Sequence, residues 1–181
     1  GMGEAFERIA PDVVVLLGDR FEILAAAQAA LVARIPIAHI HGGEATEGLI
    51  DEAIRHAITK MAHLHFVSAE AYRRRVIQLG EGPETVFNVG APGLDNIART
   101  TFPDIAALEN AVGFPLGEKF FLVTYHPVTL SDADPGLAVT ELLSALDEFP
   151  DHRILVTGVN ADPRNDRVGR PIAAYAAARP D

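Results

Sequence analysis

The chain has 181 residues, a formal net charge of −10 and no cysteine, and 49% of its residues are hydrophobic. This composition excludes a disordered chain, a disulfide scaffold and thiolate chemistry, and it offers no basic face for nucleic acid. Because no apolar run reaches the roughly 20 residues of a membrane-spanning helix and no secretory signal is visible, we predict a cytoplasmic protein without membrane or nucleic-acid partners.

Strand-like and helix-like segments alternate from the start of the chain. A helix ends before Pro11, and the Val-rich run at 12–19 lacks polar alternation, which is typical of a strand buried on both faces of a parallel sheet. The following predicted segments are helix 20–34, strand 37–41, helix 50–63, strand 64–68, helix 69–80, strand 85–90 and helix 94–100. This strict alternation predicts right-handed parallel crossovers and a doubly wound α/β sheet.

A second region follows residues 101–118, which mix proline and glycine with short apolar runs and which we interpret as a linker. The segments predicted after it are strand 119–127, helix 135–148, strand 153–158 and an Ala-rich helix at 166–179. Two strands cannot form a stable covered sheet alone. We therefore predict two incomplete Rossmann-like domains, the C-terminal part of one at 1–100 and the N-terminal part of another at 119–181, within a longer protein.

The ends of the predicted strands each combine a small residue with a polar side chain. The five segments are GDR (18–20), HIHGGE (39–44), GAPG (90–93), TYHP (124–127) and TGVNADP (157–163). Ligands of open parallel sheets bind beyond the carboxyl ends of the strands. The repetition predicts a polar cleft at this edge.

Asp19 stands directly before a predicted helix and has two interpretations. Aspartate is a common N-cap, so Asp19 could simply accept a hydrogen bond from the first helical turn. Alternatively its carboxylate faces the cleft, which the adjacent Gly18 and Arg20 favour because they suit a close approach and an opposite charge.

The histidines after the second strand permit a metal site. Side chains alternate along a strand, so His39 and His41 are expected on one face, where Glu44 or Asp51 could complete a Zn²⁺ or Fe²⁺ site. A core histidine with satisfied hydrogen bonds is the plainer alternative. The HLH segment at 63–65 opens a strand, at the opposite edge of a parallel sheet, and is interpreted as structural.

Two further groups indicate acid–base chemistry. Asp51 and Arg55 are four residues apart on a predicted helix, so they form either a surface ion pair or a general acid/base oriented by a guanidinium. Pro127 biases His126 to an extended backbone at a strand tip. Carboxylates and imidazoles without a phosphate-binding loop indicate proton transfer on a polar small molecule.

Five motifs in order resemble the hydrolysing UDP-N-acetylglucosamine 2-epimerases, most closely the NeuC-type branch. They are GDRFE (18–22), HIHGGE (39–44), IDEAIRHAITK (50–60), HPVT (126–129) and NAD (160–162). The resemblance implies a GT-B-like fold, in which two Rossmann-like domains flank a cleft. It also implies a reaction without a cofactor, in which UDP is eliminated across C1 and C2 of the sugar and water then adds to the glycal.

The resemblance implies a role for each matching residue. The implied catalytic residues are Asp19, Asp51 and His126, and the implied substrate-binding residues are Arg20, Arg55, Asn160 and Asp162. The family's usual catalytic glutamate is replaced here by His41, so either His41 or Glu44 is expected to take the acid/base role.

Three alternatives stay open from the sequence. The family's N-terminal phosphate-binding turn and its C-terminal nucleotide-binding segment are not found in these 181 residues, so the chain could be an inactive fragment. It could instead be a metal-dependent hydrolase that uses His39, His41 and Asp51, or a non-catalytic nucleotide-binding module. The partial second region predicts dimerisation, as a homodimer, or domain swapping. The resemblance implies a UDP-sugar as the substrate.

Overall fold

The computed structural model describes residues 1–128, 130–159 and 165–179 as an α/β protein with parallel sheets. The described helices are α1 (Met2–Ile9), α2 (Phe21–Val32), α3 (Asp51–Met61), α4 (Glu70–Gln78), α5 (Pro92–Arg99), α6 (Ile105–Val112), α7 (Pro135–Leu146) and α8 (Asn165–Ala178). The described strands are β1 (Val14–Leu17), β2 (Ile37–Ile40), β3 (Leu64–Val67), β4 (Val86–Asn88), β5 (Phe120–Val123) and β6 (Arg153–Val156). The chain divides into two compact units, Gly1–Thr100 and Thr101–Asp181.

The first unit is built on a four-stranded sheet whose order is β1-β2-β3-β4 with every pair parallel. Because parallel crossovers are right-handed and the strands follow one another in chain order, α2, α3 and α4 lie on the same face of the sheet. Small residues of α2, among them Ala27 and Ala30, pack there against Leu16 and Ile37. Burial of one such Leu or Ile side chain contributes about 1.5–3 kcal/mol.

The opposite face of this sheet is exposed over much of its apolar surface. The side chains of Val15 and Leu17 on β1 are 61% and 55% exposed, and Leu64 and Phe87 are exposed as well. The prediction that run 12–19 is buried on both faces is therefore wrong. Of the two faces that helices cover in a doubly wound sheet, only the face of Leu16 is covered by helices that the structure describes. The physical cause is the sequential strand order, which leaves the crossover helices α2, α3 and α4 on one side of the sheet.

The segment between the two predicted domains also differs from its description as a linker. Residues 105–112 form α6, whose N-cap is Asp104 and whose C-terminus is closed by Gly113 at a φ of 69°. The Asp104 side chain accepts a hydrogen bond from the backbone N–H of Ala107 at 2.8 Å. An N-cap aspartate and a left-handed glycine are standard helix boundaries, so the sequence carried this signal.

The second unit pairs β5 with β6 in parallel and covers them with α7 and α8. Val139, Leu143 and Leu146 of α7 pack with Val168 of α8 in its core. Asp134 caps α7, accepting a 3.0 Å hydrogen bond from the backbone of Gly136. Throughout the three ranges that the structure describes, no helix combines the length and apolarity needed to cross a bilayer.

Candidate active site

The turn after β1 presents Asp19 beside a buried arginine. Gly18 takes a φ of 88°, and its backbone N–H donates to the carbonyl of Ile40 on the next strand. Helix α2 then begins at Phe21 with Arg20 at its N-cap position and no side-chain cap hydrogen bond. The interpretation of Asp19 as the N-cap is therefore wrong. The Asp19 Oδ2 atom instead accepts hydrogen bonds from Nε of Arg55 at 2.8 Å and from its Nη2.

Arg55 connects this turn to the segment that leads into α3. Its side chain is only 3% exposed. Besides the Asp19 carboxylate, the guanidinium donates to the Glu52 carboxylate at 2.7 Å, the Glu44 carbonyl at 2.8 Å and the Thr46 hydroxyl at 3.1 Å. A guanidinium has five N–H donors in a rigid fork, and such a buried charge is tolerated when acceptors surround it. Arg55 therefore holds the carboxylates of Asp19 and Glu52 close together.

Glu52 belongs to this network, although it was not among the predicted site residues. Its Oε2 atom accepts from the backbone N–H of Thr46 at 2.7 Å as well as from Arg55. Burial raises the pKa of the Glu52 carboxyl, but the Thr46 hydrogen bond and the charges of Arg55 and His56 outweigh it and lower that pKa. The position of Glu52 three residues before Arg55 on the helix was the sequence signal for this pair.

Asp51 is the first residue of α3 and is half-buried. It follows the segment that holds Glu44 and Thr46, so it lies in the same part of the first unit as the network of Arg55. Acidic residues are favoured in the first turn of a helix, where unpaired backbone N–H groups face them. Its orientation by Arg55 stays a prediction.

His41 and Glu44 form a second pair just beyond β2. The strand ends at Ile40, and His41 takes a left-handed φ of 69° while its backbone N–H donates to the carbonyl of Phe66. Its Nδ1 atom lies 2.6 Å from Oε1 of Glu44, and the Ser68 hydroxyl donates to the same oxygen at 2.8 Å. The His41 side chain is 26% exposed, so the imidazole is within reach of a solute.

Burial raises the pKa of the Glu44 carboxyl, but this effect is outweighed. Hydrogen bonds from His41 and Ser68, together with the charges of His41 and Arg55, lower the pKa of Glu44 from its ordinary value. The carboxylate is therefore ionised at neutral pH. Ser68 is a further residue that the sequence did not predict, because its contribution depends on the pairing of β2 with β3.

His39 differs from His41 in every contact. It is fully buried, its Nε2 atom lies 2.9 Å from the Gly18 carbonyl, and its Nδ1 atom lies 3.2 Å from the Thr59 hydroxyl. Burial lowers the pKa of His39 to about 4, so the ring is neutral at pH 7. Nε2 donates to the carbonyl, which accepts only, and Nδ1 accepts from Thr59.

This arrangement contradicts the proposed metal set of His39, His41 and Asp51. Both ring nitrogens of His39 are engaged, and the expected strand alternation stops before His41 because its backbone is left-handed. The two imidazoles have different partners. Within the described ranges, no group of three histidine or acidic side chains could hold a metal ion.

The structure treats the remaining predicted residues differently. Arg20 directly follows Asp19, and its Nε atom lies 3.2 Å from Glu22 while its guanidinium lies over the Phe21 ring. His126 is exposed in the second unit, three residues after the end of β5. Asn160 and Asp162 lie outside the described residues.

The first unit thus brings together a buried arginine, several carboxylates and the accessible imidazole of His41 beyond the carboxyl ends of β1 and β2. A second partly exposed imidazole, that of His56, lies 3.2 Å from the Glu52 carboxylate. Such a set can bind an anionic or polar solute and move protons at neutral pH. Together with the parallel sheets, it defines an α/β protein of the kind that binds ligands at strand ends.

A more specific assignment comes from comparison with known proteins. The family model for UDP-N-acetylglucosamine 2-epimerase matches residues 1–179. The chain belongs to this family.

Curated relatives include enzymes with a hydrolysing activity in their names. The chain is 43% identical over 159 residues to the GDP/UDP-N,N'-diacetylbacillosamine 2-epimerase (hydrolyzing) of Campylobacter jejuni, covering 88% of the chain and 41% of that protein. It is 44% identical over 174 residues to polysialic acid biosynthesis protein P7 of Escherichia coli, covering 96% of the chain and 44% of that protein. The chain therefore spans about two fifths of the length of these relatives.

Solved structures have the same fold. A UDP-GlcNAc 2-epimerase from Neisseria meningitidis bound to UDP-GlcNAc superposes with a TM-score of 0.74 at 21% identity, covering 98% of the chain and 49% of that structure. The enzyme from Methanocaldococcus jannaschii in complex with UDP-GlcNAc and UDP gives 0.72 at 23% identity, covering 97% and 49%. These matches confirm the predicted α/β fold of GT-B type with Rossmann-like parallel sheets.

Proposed function

We propose that this chain carries part of a hydrolysing 2-epimerase that acts on a UDP-N-acetylhexosamine. The substrate is UDP-N-acetylglucosamine or a 2,4-diacetamido analogue, and the products are UDP and a free N-acetylmannosamine-type sugar. The identity of 43% to a relative named as a hydrolysing diacetylbacillosamine 2-epimerase supports the reaction and favours the diacetamido sugar.

The observation that carries this proposal is the connection of two acid–base pairs through one buried guanidinium. Arg55 bonds the Asp19 carboxylate and also the carbonyl of Glu44, whose own carboxylate bonds His41. Elimination needs a base for the weakly acidic C2 proton and stabilisation of the departing diphosphate. This network positions the Asp19 carboxylate and the His41 imidazole as bases. The proposed scheme uses no metal or cofactor.

The reaction has two proton-balanced stages. A base takes the proton from C2, the electron pair forms the C1–C2 double bond, and the C1–O bond breaks as UDP leaves. Water then adds its hydroxyl to C1, while a proton returns to C2 from the opposite face. We assign acid/base roles to Asp19, His41 and Asp51, and support of the substrate to Arg20. Arg55 is buried and donates to protein acceptors, so we assign it the orientation of the Asp19 carboxylate.

The second unit supplies the nucleotide side of the proposal. His126 is assigned to the diphosphate because it is exposed beyond the carboxyl end of β5, where an anionic ligand of a parallel sheet binds. Asn160 and Asp162 are assigned to the nucleotide from the family motif. A cytoplasmic location and a homodimer stay predictions of the sequence.

The test measures deuterium incorporation. The chain, and a hybrid in which it replaces the matching segment of the Campylobacter jejuni relative, are incubated in D₂O with UDP-N-acetylglucosamine and with its 2,4-diacetamido analogue. Released UDP and a mannosamine-type sugar with deuterium at C2 are expected, because solvent supplies the proton that returns to carbon. Mass spectrometry and NMR identify the sugar.

Asp19→Asn provides the mutant for this test and Asp132→Asn, in the second unit, its matched control. Asp19→Asn is expected to lower turnover by about 10²-fold or more, the usual contribution of a positioned acid or base. Turnover without C2 deuterium would contradict elimination. UDP binding by calorimetry, with no turnover in chain or hybrid, would instead support the non-catalytic module.

A further inference from the structure

We propose that Glu44 is a positioning residue that acts through His41, with Ser68 as its clamp, so that Nε2 of His41 is the nitrogen that exchanges protons with substrate. The two residues that the sequence offered as alternatives then act together. The reaction served by this pair rests on the proposed function, whereas the hydrogen-bonded pair itself is tested independently of activity.

The ionised carboxylate of Glu44 determines which ring nitrogen of His41 carries the proton. The Glu44 carboxylate is ionised at neutral pH, and an ionised carboxylate can only accept hydrogen bonds. At 2.6 Å from Glu44 Oε1, the Nδ1 atom of His41 must therefore be the donor. In the neutral ring the remaining nitrogen, Nε2, is then unprotonated and basic. A carboxylate on Nδ1 also holds the ring in one tautomer and one orientation, as in other carboxylate–histidine pairs.

The Oε1 atom of Glu44, which accepts the hydrogen bond from His41, is itself held in place. The Ser68 hydroxyl donates to the same Oε1 atom at 2.8 Å, which fixes the carboxylate against β3. Arg55 donates at 2.8 Å to the backbone carbonyl of Glu44, which ties the residue to the Asp19 pair. Side chain and backbone of Glu44 are therefore anchored from different elements.

The backbone of the turn is fixed as well. His41 takes a φ of 69°, which is uncommon for a residue other than glycine and strains its backbone. A Cβ on Gly42 would lie 3.1 Å from His39 Nδ1, and a Cβ on Gly43 would meet the Tyr72 carbonyl. The Arg75 guanidinium donates to the Gly43 carbonyl. Strained residues held by close packing on both sides are concentrated at functional sites.

NMR of the whole 181-residue chain tests the pair directly. Histidine is labelled with ¹⁵N, and long-range ¹⁵N–¹H correlations distinguish the Nδ1–H from the Nε2–H tautomer. The signals of His41 among seven histidines are assigned with His41→Gln. In the unmodified chain, neutral His41 is expected to be almost wholly in the Nδ1–H form.

Substitutions of Glu44 and Ser68 are expected to change the His41 tautomer to different extents. Glu44→Ala is expected to move His41 to mainly the Nε2–H form, which the free histidine side chain favours in water, and Glu44→Gln to a mixture. Ser68→Ala is expected to keep the Nδ1–H form while broadening it, because it removes one of two hydrogen bonds to Oε1. Glu118→Gln, an exposed acid in the second unit, is the control and should change nothing.

Two results would overturn the proposal. One is an Nε2–H tautomer of His41 in the unmodified chain, and the other is the same tautomer in Glu44→Ala, Glu44→Gln and the parent. Amide spectra establish that each variant is folded, and if Glu44→Ala fails to fold, Glu44→Gln carries the comparison.

A kinetic measurement in the hybrid enzyme relates the pair to catalysis. Glu44→Gln is expected to lower kcat by about 10²-fold with KM within about 3-fold, since the positioning residue acts on proton transfer. Glu44→Asp is expected to restore part of kcat. If KM rises and kcat is unchanged, Glu44 contributes to binding and the positioning role is rejected. If the unmodified hybrid is inactive while the tautomer shifts are seen, the proposed function fails and the hydrogen-bonded pair stands.

Discussion

Two regions of the first unit, only two residues apart in sequence, put histidine to opposite uses. Beneath the helices, His39 is fully buried, neutral and hydrogen-bonded at both nitrogens by Gly18 and Thr59. In the turn after β2, His41 is partly exposed and bonded to an ionised Glu44. The first ring is a fixed structural connection, whereas the second retains a basic nitrogen near solvent.

The difference is caused by the end of the strand. His39 lies in β2, opposite Leu16 and His65, on the face that α2 and α3 cover. His41 lies beyond the strand, where its left-handed backbone removes it from the alternating pattern. The covered region therefore holds the strand-end turn in place, and the turn carries the chemistry. Changes in each region should consequently have different signatures.

The largest expected effect comes from removing the group that joins the two regions. Arg55→Met leaves the carboxylates of Asp19 and Glu52 and the Glu44 carbonyl without their shared donor. Breaking a buried ion pair on one side costs about 3–5 kcal/mol. We expect the free energy of unfolding of the first unit to fall by that amount, measured by urea denaturation at pH 7.

Arg74→Met is the control for this change, because Arg74 is exposed on α4. Exposed substitutions usually alter stability by less than about 0.5 kcal/mol. If Arg55→Met is as mild as the control, the guanidinium does not connect the regions and the proposed network is wrong.

The covered region should also respond to pH through His39. Its pKa is lowered to about 4 in the folded protein, against 6.5 for the unfolded chain. Between these values the unfolded chain binds more protons, so stability is fully present above pH 6.5 and is lost as pH falls through about 4. A pKa shift of one unit corresponds to about 1.4 kcal/mol, so the complete loss in the free energy of unfolding is about 3 kcal/mol. About 2 kcal/mol of this loss falls between pH 7 and pH 5.

His39→Gln isolates this contribution. The ring of His39 faces His65, Asp19 and Arg55, and burial also lowers the pKa of His65, so the parent loses stability from more than one group in this range. The loss between pH 7 and pH 5, measured by urea denaturation, should be about 2 kcal/mol smaller in His39→Gln. Equal losses in both proteins would show that His39 is not a buried neutral ring.

Much of the architecture could be predicted from local sequence. The alternation of apolar runs and helices gave the parallel α/β fold, and polar residues at strand ends placed Asp19 and His41 near one edge. The order of strands within the sheet is set by pairing between distant segments, so the open face at Val15 could not be seen. For the same reason Ser68, which directly follows β3, was missed as a partner of Glu44.

Two outcomes have more local causes. The sequence left Asp19 open between an N-cap and a carboxylate that faces the cleft, and the partner of this carboxylate is the buried Arg55 rather than the end of α2. The shared face expected for His39 and His41 assumed an extended backbone, and the paired glycines that follow allow a left-handed turn instead. Side-chain partners across 36 residues, as for Arg55 and Asp19, are set by tertiary packing.

The smallest single effect is expected for Gly18→Ala, and its comparison with Gly43→Ala separates the cost of backbone strain from the cost of packing. Gly18 and Gly43 have similar left-handed φ values of 88° and 78°, but a Cβ on Gly18 meets nothing within 4 Å, whereas one on Gly43 meets the Tyr72 carbonyl and lies 2.8 Å from Val76. Gly18→Ala should cost about 1–2 kcal/mol from the backbone alone. Gly43→Ala should cost about 1–3 kcal/mol more because α4 is overpacked, and it should also shift the His41 tautomer. If urea denaturation gives equal losses for the two variants, α4 does not press on the turn, and the strain at His41 is held by the network of Arg55 alone.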